Sequence, residues 1–147
     1  MLQTGTETAC VKGQQVDNGW FENYPSPPVG LVLSVHPGDL ISGEIRQISS
    51  GSWSYALTDL TSGQVATSQS PIAYDGPGTS AEWIEEDPGD QVLPLTNFGT
   101  VAFSNVSVSG AAPSLDPADN GLNMIQKGQL EAQSSLFGND AFSVTYQ

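Results

Sequence analysis

Few side chains in this chain could start a reaction. It holds one histidine, His36, and one cysteine, Cys10. A single imidazole excludes a His-rich zinc centre. A Ser–His–Asp triad would have to use His36, which stands in a turn before Pro37, and a Cys–His dyad would need the two lone residues to meet. Neither usual phosphate-cradling glycine loop occurs. What remains is 16 Asp and Glu. Carboxylates could act as acid/base groups, or as oxygen ligands for calcium in the Asp-rich loops, although the loops show no calcium spacing signature.

Two stretches gather carboxylates with aromatics. In Ser80-Ala81-Glu82-Trp83-Ile84-Glu85-Glu86-Asp87, period-2 alternation would set Glu82 and Ile84 on one face and Trp83 and Glu85 on the other. A carboxyl beside large apolar groups has its proton affinity raised by desolvation, which suits a general acid/base. The plainer reading is a solvated strand face. Asn18-Gly19-Trp20-Phe21-Glu22-Asn23-Tyr24-Pro25 sets three aromatics around one Glu, and its plainer reading is a core strand. Leu2-Gln3-Thr4-Gly5 draws no notice on composition alone.

The elements that would position these residues read as strands. Helical periodicity is almost absent, and turn signals recur about every 8–12 residues. Gly30–Val35 is an apolar run closed by His36-Pro37-Gly38-Asp39. Leu40–Ile48 alternates, with Ile41, Gly43 and Ile45 on one side. Trp53–Leu60 puts Trp53, Tyr55 and Leu57 on one face, and Thr61-Ser62-Gly63 turns it into Gln64–Gln69. Ser80–Glu86 reads as a strand stopped by Asp87-Pro88-Gly89-Asp90. Phe98–Ser109 is the longest strand signal, with a change of parity after Phe103 that suggests a bulge. Asn120-Gly121, Lys127-Gly128 and Gly138-Asn139 separate three more short strands, the last Ala141–Tyr146. The expected fold is all-β, a sandwich of two packed antiparallel sheets rather than a closed barrel.

Composition narrows the partners. The 147 residues suffice for one domain with a core, spanning 1–147, and 37% hydrophobic residues argue against disorder. Three Lys and Arg against 16 Asp and Glu give a formal charge of −13. Nucleic acid and anionic membrane surfaces are excluded as partners, because each needs a cationic patch. No apolar run approaches the ~18 residues needed to span a bilayer. With every carboxyl protonated, the side chains would carry at most the charges of His36 and the 3 Lys and Arg. That nearly abolishes the cationic self-repulsion that helps acid unfold proteins. A merely soluble secreted protein would look the same. Cys10 excludes an intrachain disulfide. The opening residues lack the basic and apolar regions of a secretory signal, so either the chain is cytosolic or its true N-terminus is missing. Asn105-Val106-Ser107 fits the short glycosylation pattern.

Taken in order, four blocks resemble the glutamic peptidases, or eqolisins. Leu2-Gln3-Thr4-Gly5 looks like the family's LQTG block, which holds its catalytic glutamine. Trp20-Phe21-Glu22-Asn23-Tyr24-Pro25 looks like its aromatic WxExYP block. Ala81-Glu82-Trp83-Ile84-Glu85-Glu86 looks like the AEWIxE block with the catalytic glutamate. Phe98-Gly99-Thr100-Val101-Ala102-Phe103 resembles the FGxVxF strand. Pro37-Gly38-Asp39-Leu40-Ile41 and Asp59-Leu60-Thr61-Ser62-Gly63 also fit, so the resemblance covers nearly the whole chain. It implies a concanavalin-like sandwich and a metal-free, cofactor-free acid endopeptidase, secreted and monomeric, acting on polypeptides. Gln3 and Glu82 would be catalytic, and Trp20, Glu22 and Trp83 would line or brace the cleft.

The resemblance includes a departure. In the family the glutamine block follows several N-terminal strands that complete both sheets and supply a cleft Trp; here it begins at residue 2. The expectation is a domain lacking its N-terminal portion, with open edges, an uncovered apolar surface and a Cys10 that has lost its partner. Glu7 stands where many members have Asp. Glu82 would take a proton from the attacking water and return it to the leaving amine, while the Gln3 amide donates to the oxyanion. Glutamate is a weak base, about 4.3 as a free side chain, so such chemistry would run at or below about pH 5. Two rivals stand beside this reading. One is a carbohydrate-binding sandwich stacking Trp20, Trp53, Tyr55 and Trp83 on sugar rings. The other is an inactive truncated peptidase domain.

Overall fold

The computed structural model describes residues 1–87, 94–135 and 137–147. The chain divides into two compact units, Met1–Gly78 and Thr79–Gln147. Among the described residues every ladder is antiparallel, in three sheets, and the one helix is the single turn α1 (Pro117–Asn120). The all-β expectation holds.

The first unit contains two of the sheets. Strands β1 (Leu2–Val11), β2 (Gln14–Asn23) and β3 (Val29–Ser34) form one, in that order. Strands β4 (Ile41–Ser49), β5 (Ser52–Asp59) and β6 (Val65–Thr67) form the other, with β7 (Ile72–Ala73) also paired to β5. The β1–β2 hairpin follows from its turn. Lys12 and Gly13 take φ values of 53° and 80°, the left-handed pair that a two-residue loop needs to match the strand twist. That places Val11 opposite Gln14 and runs the register down to Leu2 opposite Asn23. Ten residues pair without a slip.

The core of this unit lies between its sheets. Leu33, Leu57 and Ala66 are buried, with Leu31, Val35 and Ile41 packed around them. The face of β5 foreseen from alternation is the inner one: Tyr55, Leu57 and Asp59 are buried and the residues between them are less so. Gly19 on β2 marks the closest approach. A methyl group there would lie 2.7 Å from Leu57 Cδ2 and 3.4 Å from Leu33 Cδ2, so only glycine lets the sheets meet. Phe21 continues the same face of β2 and stacks on Tyr55, ring centroids 4.9 Å apart. The opposite face of the β1–β2 pair therefore carries Gln3, Gly5, Trp20 and Glu22.

The second unit holds one four-stranded sheet, β8 (Thr100–Phe103), β11 (Phe142–Tyr146), β10 (Gln129–Ser135) and β9 (Asn123–Gln126), in that spatial order. Lys127 and Gly128, at φ 49° and 82°, make the β9–β10 turn as expected. Ala132, Phe142 and Val144 form its buried core with Phe98, Phe103, Met124 and Trp83 against them. Phe103 and Phe142 stack at 4.6 Å.

Two strand expectations need correction. Ser80–Glu86 forms no ladder with any described residue. Alternation of burial survives there without the strand that usually produces it. Phe98–Ser109 shortens to β8, because Asn105 adopts φ 54° and breaks the extended run where a bulge was expected. Val106 is still buried, held by its N–H on the carbonyl of Asp140 at 3.0 Å. The Asp87-Pro88-Gly89-Asp90 turn lies, beyond Asp87, outside the described residues.

Candidate active site

Gln3 sits on β1 directly opposite Glu22 on β2. Side chains facing each other across an antiparallel pair are within reach, and here the Gln3 Nε2 amide donates to Glu22 Oε2. A primary amide has two N–H donors, so one remains free to serve another acceptor. Two residues along, Trp20 lies opposite Gly5 and its indole covers it: a methyl on Gly5 would be 3.5 Å from Trp20 Cζ2. The glycine thus leaves room for a flat aromatic wall beside the amide. Gln3, Trp20 and Glu22 are all half-buried, neither sealed in the core nor free in solvent.

The backbone beneath this site is tied from the interior. Thr4 Oγ1 donates to the Trp20 carbonyl at 2.7 Å, and the Tyr55 hydroxyl donates to the Glu22 carbonyl at 2.9 Å. Tyr55 is 1% exposed. Burial, then the charge of Glu22 and the neighbouring Tyr74, push its hydroxyl up to about 12, so it stays protonated and a donor at acid and neutral pH. On the rim, Asn23 Nδ2 donates to the Ala73 carbonyl at 3.2 Å, tying β2 to β7. Trp53 Nε1 donates to the Tyr74 carbonyl at 3.1 Å.

Within the second unit the expected acid/base segment keeps its two-sided character. Glu82, Ile84 and Glu86 are exposed, whereas Trp83, Glu85 and Asp87 are half-buried. Trp83 packs against the Ala132, Phe142 and Val144 cluster, which fixes the side from which Glu82 points away. Burial raises the proton affinity of Glu85, on the Trp83 side.

Gln3, Trp20 and Glu22 thus come together on one face of one hairpin, and Glu82 and Trp83 are neighbours on opposite sides of one segment. Sequence reasoning missed Tyr55 and Thr4 as parts of the site. Alternation along β5 marks Tyr55 as inward, but no local signal says that its hydroxyl ends on Glu22. Of the aromatics that the sugar-stacking reading names, Tyr55 is buried, and Trp20, Trp53 and Trp83 are each half-buried. Among the described residues no three His, Cys, Asp or Glu side chains converge as a metal-binding group.

Fold and site together define an all-β sandwich protein with a carboxamide–carboxylate pair on its open face. The chain belongs to the Peptidase A4 family, the glutamic peptidases or eqolisins, whose family description matches residues 1–146. It is 30% identical over 152 aligned positions to Aspergillopepsin-2 of Aspergillus niger, an alignment covering 99% of this chain and 54% of that protein. The chain therefore spans about half the length of that curated relative. The crystal structure of aspergilloglutamic peptidase from Aspergillus niger is similar at a TM-score of 0.79 and 28% identity, covering 99% of this chain and 89% of that one. Scytalido-glutamic peptidase with a transition state analog inhibitor is similar at a TM-score of 0.62 and 21% identity, covering 99% and 75%; this likeness bears on the fold alone.

Proposed function

We propose that the chain carries out acid endopeptidase chemistry on polypeptides, with Gln3 and Glu82 as the catalytic residues and no metal or cofactor. Family membership supports the reaction class. The observation that carries the residue assignment is the Gln3–Glu22 hydrogen bond on the open face of the β1–β2 hairpin. An oxyanion donor must be aimed before charge develops, and a carboxylate holding one amide hydrogen aims the other. Glu82 is the general base for the attacking water and then the general acid for the leaving amine. Its exposure leaves it open to solvent and substrate, while Trp83 anchors the segment. Trp20 supplies the wall of the cleft, and Glu22 the brace for Gln3.

The single domain of residues 1–147, a monomeric state and secretion belong to the same proposal. A secreted acidic workplace fits 16 Asp and Glu against 3 Lys and Arg. The test is cleavage of a denatured protein at about pH 4 with pepstatin present. Gln3→Ala should lower kcat by about 10²–10³, the usual loss for an oxyanion donor. Glu82→Gln should reduce it at least as far. Undiminished cleavage by Glu82→Gln would overturn the assignment. Polysaccharide pull-down by a chain without proteolytic activity would favour the sugar-binding reading instead.

A further inference from the structure

Strand β2 is held from below at alternate residues. The hydroxyls of Thr4 and Tyr55 reach the carbonyls of Trp20 and Glu22, the two residues whose side chains flank the Gln3 amide on the other face. Of the two, Tyr55 comes from the opposite sheet. Its ring is pinned by Phe21 at 4.9 Å and an interplanar angle of 24°, and its backbone N–H donates to Ser68 Oγ at 3.3 Å. A phenylalanine would fill the same space. Burying a hydroxyl costs free energy unless it is bonded, and this one is bonded through its single hydrogen to the Glu22 carbonyl.

We propose that Tyr55 is a positioning residue for Gln3, acting through Glu22. Its hydroxyl fixes the Glu22 main chain at 2.9 Å, Glu22 Oε2 receives the Gln3 amide, and the second amide hydrogen is thereby aimed. The chain of contacts runs Tyr55, Glu22, Gln3, from the core of the first unit to its open face. It rests on the proposed role of Gln3. A small displacement of an aimed donor is costly, since about 1 Å can change a rate by about 10²-fold. Loss of one supporting bond allows less movement, so about a tenfold effect is expected.

The test uses Tyr55→Phe, Glu22→Ala and the double variant in the full chain, read by the side-chain amide resonances of Gln3. Those resonances are identified by their loss in Gln3→Ala. Glu22→Ala should move them to the position of a free glutamine amide. Tyr55→Phe, which keeps the ring and its stacking, should move them part of the way. It should also lower kcat about tenfold with KM unchanged. In the Glu22→Ala background the Tyr55→Phe change should add nothing to either reading. Tyr55→Phe with a lower Tm but unmoved Gln3 resonances would make Tyr55 structural only and overturn the proposal. So would full additivity in the double variant. Should Gln3→Ala retain full activity, the function reading fails on its own, and the amide shifts still decide whether Tyr55 positions Gln3.

Discussion

Asp59 shows how a single carboxylate can be matched to an acidic setting. It ends β5 at 1% exposure, and its oxygens accept the Ser62 hydroxyl, the Thr61 N–H at 2.8 Å and the Ser62 N–H at 3.2 Å. The Ser62 hydroxyl, followed by these N–H groups, holds its proton affinity below the ordinary 3.8. A lowered folded value means that the stabilisation is complete above the unfolded pKa and is lost only as pH falls through the folded one. The Asp59-Leu60-Thr61-Ser62-Gly63 turn thus keeps its anchor at pH values where an ordinary aspartate is half protonated. Asp59→Asn should lower Tm at about pH 6, with the gap to the parent chain narrowing below 3.8 in thermal unfolding. A gap constant down to about pH 2 would contradict this. Glu85 works with the opposite sign: burial raises its proton affinity, so its contribution is present at low pH and lost as pH rises through the raised value. The two residues therefore act oppositely: Glu85 favours the acid side, whereas Asp59 favours the higher side and gives up its stabilisation only at a pH below the ordinary aspartate range.

Among elements, the β1–β2 hairpin does most to build the site. One face supplies Gln3, Gly5, Trp20 and Glu22, and the other supplies Gly19 and Phe21 to the core. A shift of one residue in register would exchange the faces and bury the amide. Gly19 is the point where the packing leaves no slack. Gly19→Ala should cost about 1–3 kcal/mol, because a methyl 2.7 Å from Leu57 forces the sheets apart or Leu57 off its rotamer. Chemical denaturation would measure the loss, and Leu57→Ala combined with Gly19→Ala should recover part of it relative to the sum of the single changes. Strict additivity would show that the contact is not the cause. The element scale also shows what sequence reading catches. Lys127-Gly128 was legible as a turn, and Lys12-Gly13 makes the same turn with the same φ signs. Its flanks, Cys10-Val11 and Gln14-Gln15, carry no alternation of polar and apolar residues to mark strands, since Val11 and Gln14 are both exposed. In Ser80–Glu86 the reverse holds: the alternation is clear, yet no described strand pairs with it. Pairing is a property of two segments, and periodicity reports only one.

At the scale of the whole molecule the charge balance governs behaviour against pH and salt. A formal −13 at neutral pH is self-repulsive, and it fades as the carboxylates protonate, leaving few cations to repel in turn. Raising salt from about 0.01 to about 0.5 M should therefore raise Tm at about pH 7 and do much less at about pH 4, because screening acts on charge that is present. Equal salt responses at the two pH values would remove self-repulsion from the account. The sequence alone determined the all-β class, the turns with glycine or asparagine, the inward face of β5, the acidic balance and, through its four blocks, the family. These are local or additive properties: alternation, turn chemistry, charge count and order of motifs. Tertiary structure alone decided that Gln3 donates to Glu22, that burial raises the proton affinity of Glu85, and that the Tyr55 hydroxyl ends on the strand bearing the site. Tyr55 and Glu22 are 33 residues apart. Only the packing of one sheet on another brings a core phenol within 2.9 Å of that carbonyl, and no window of sequence contains both.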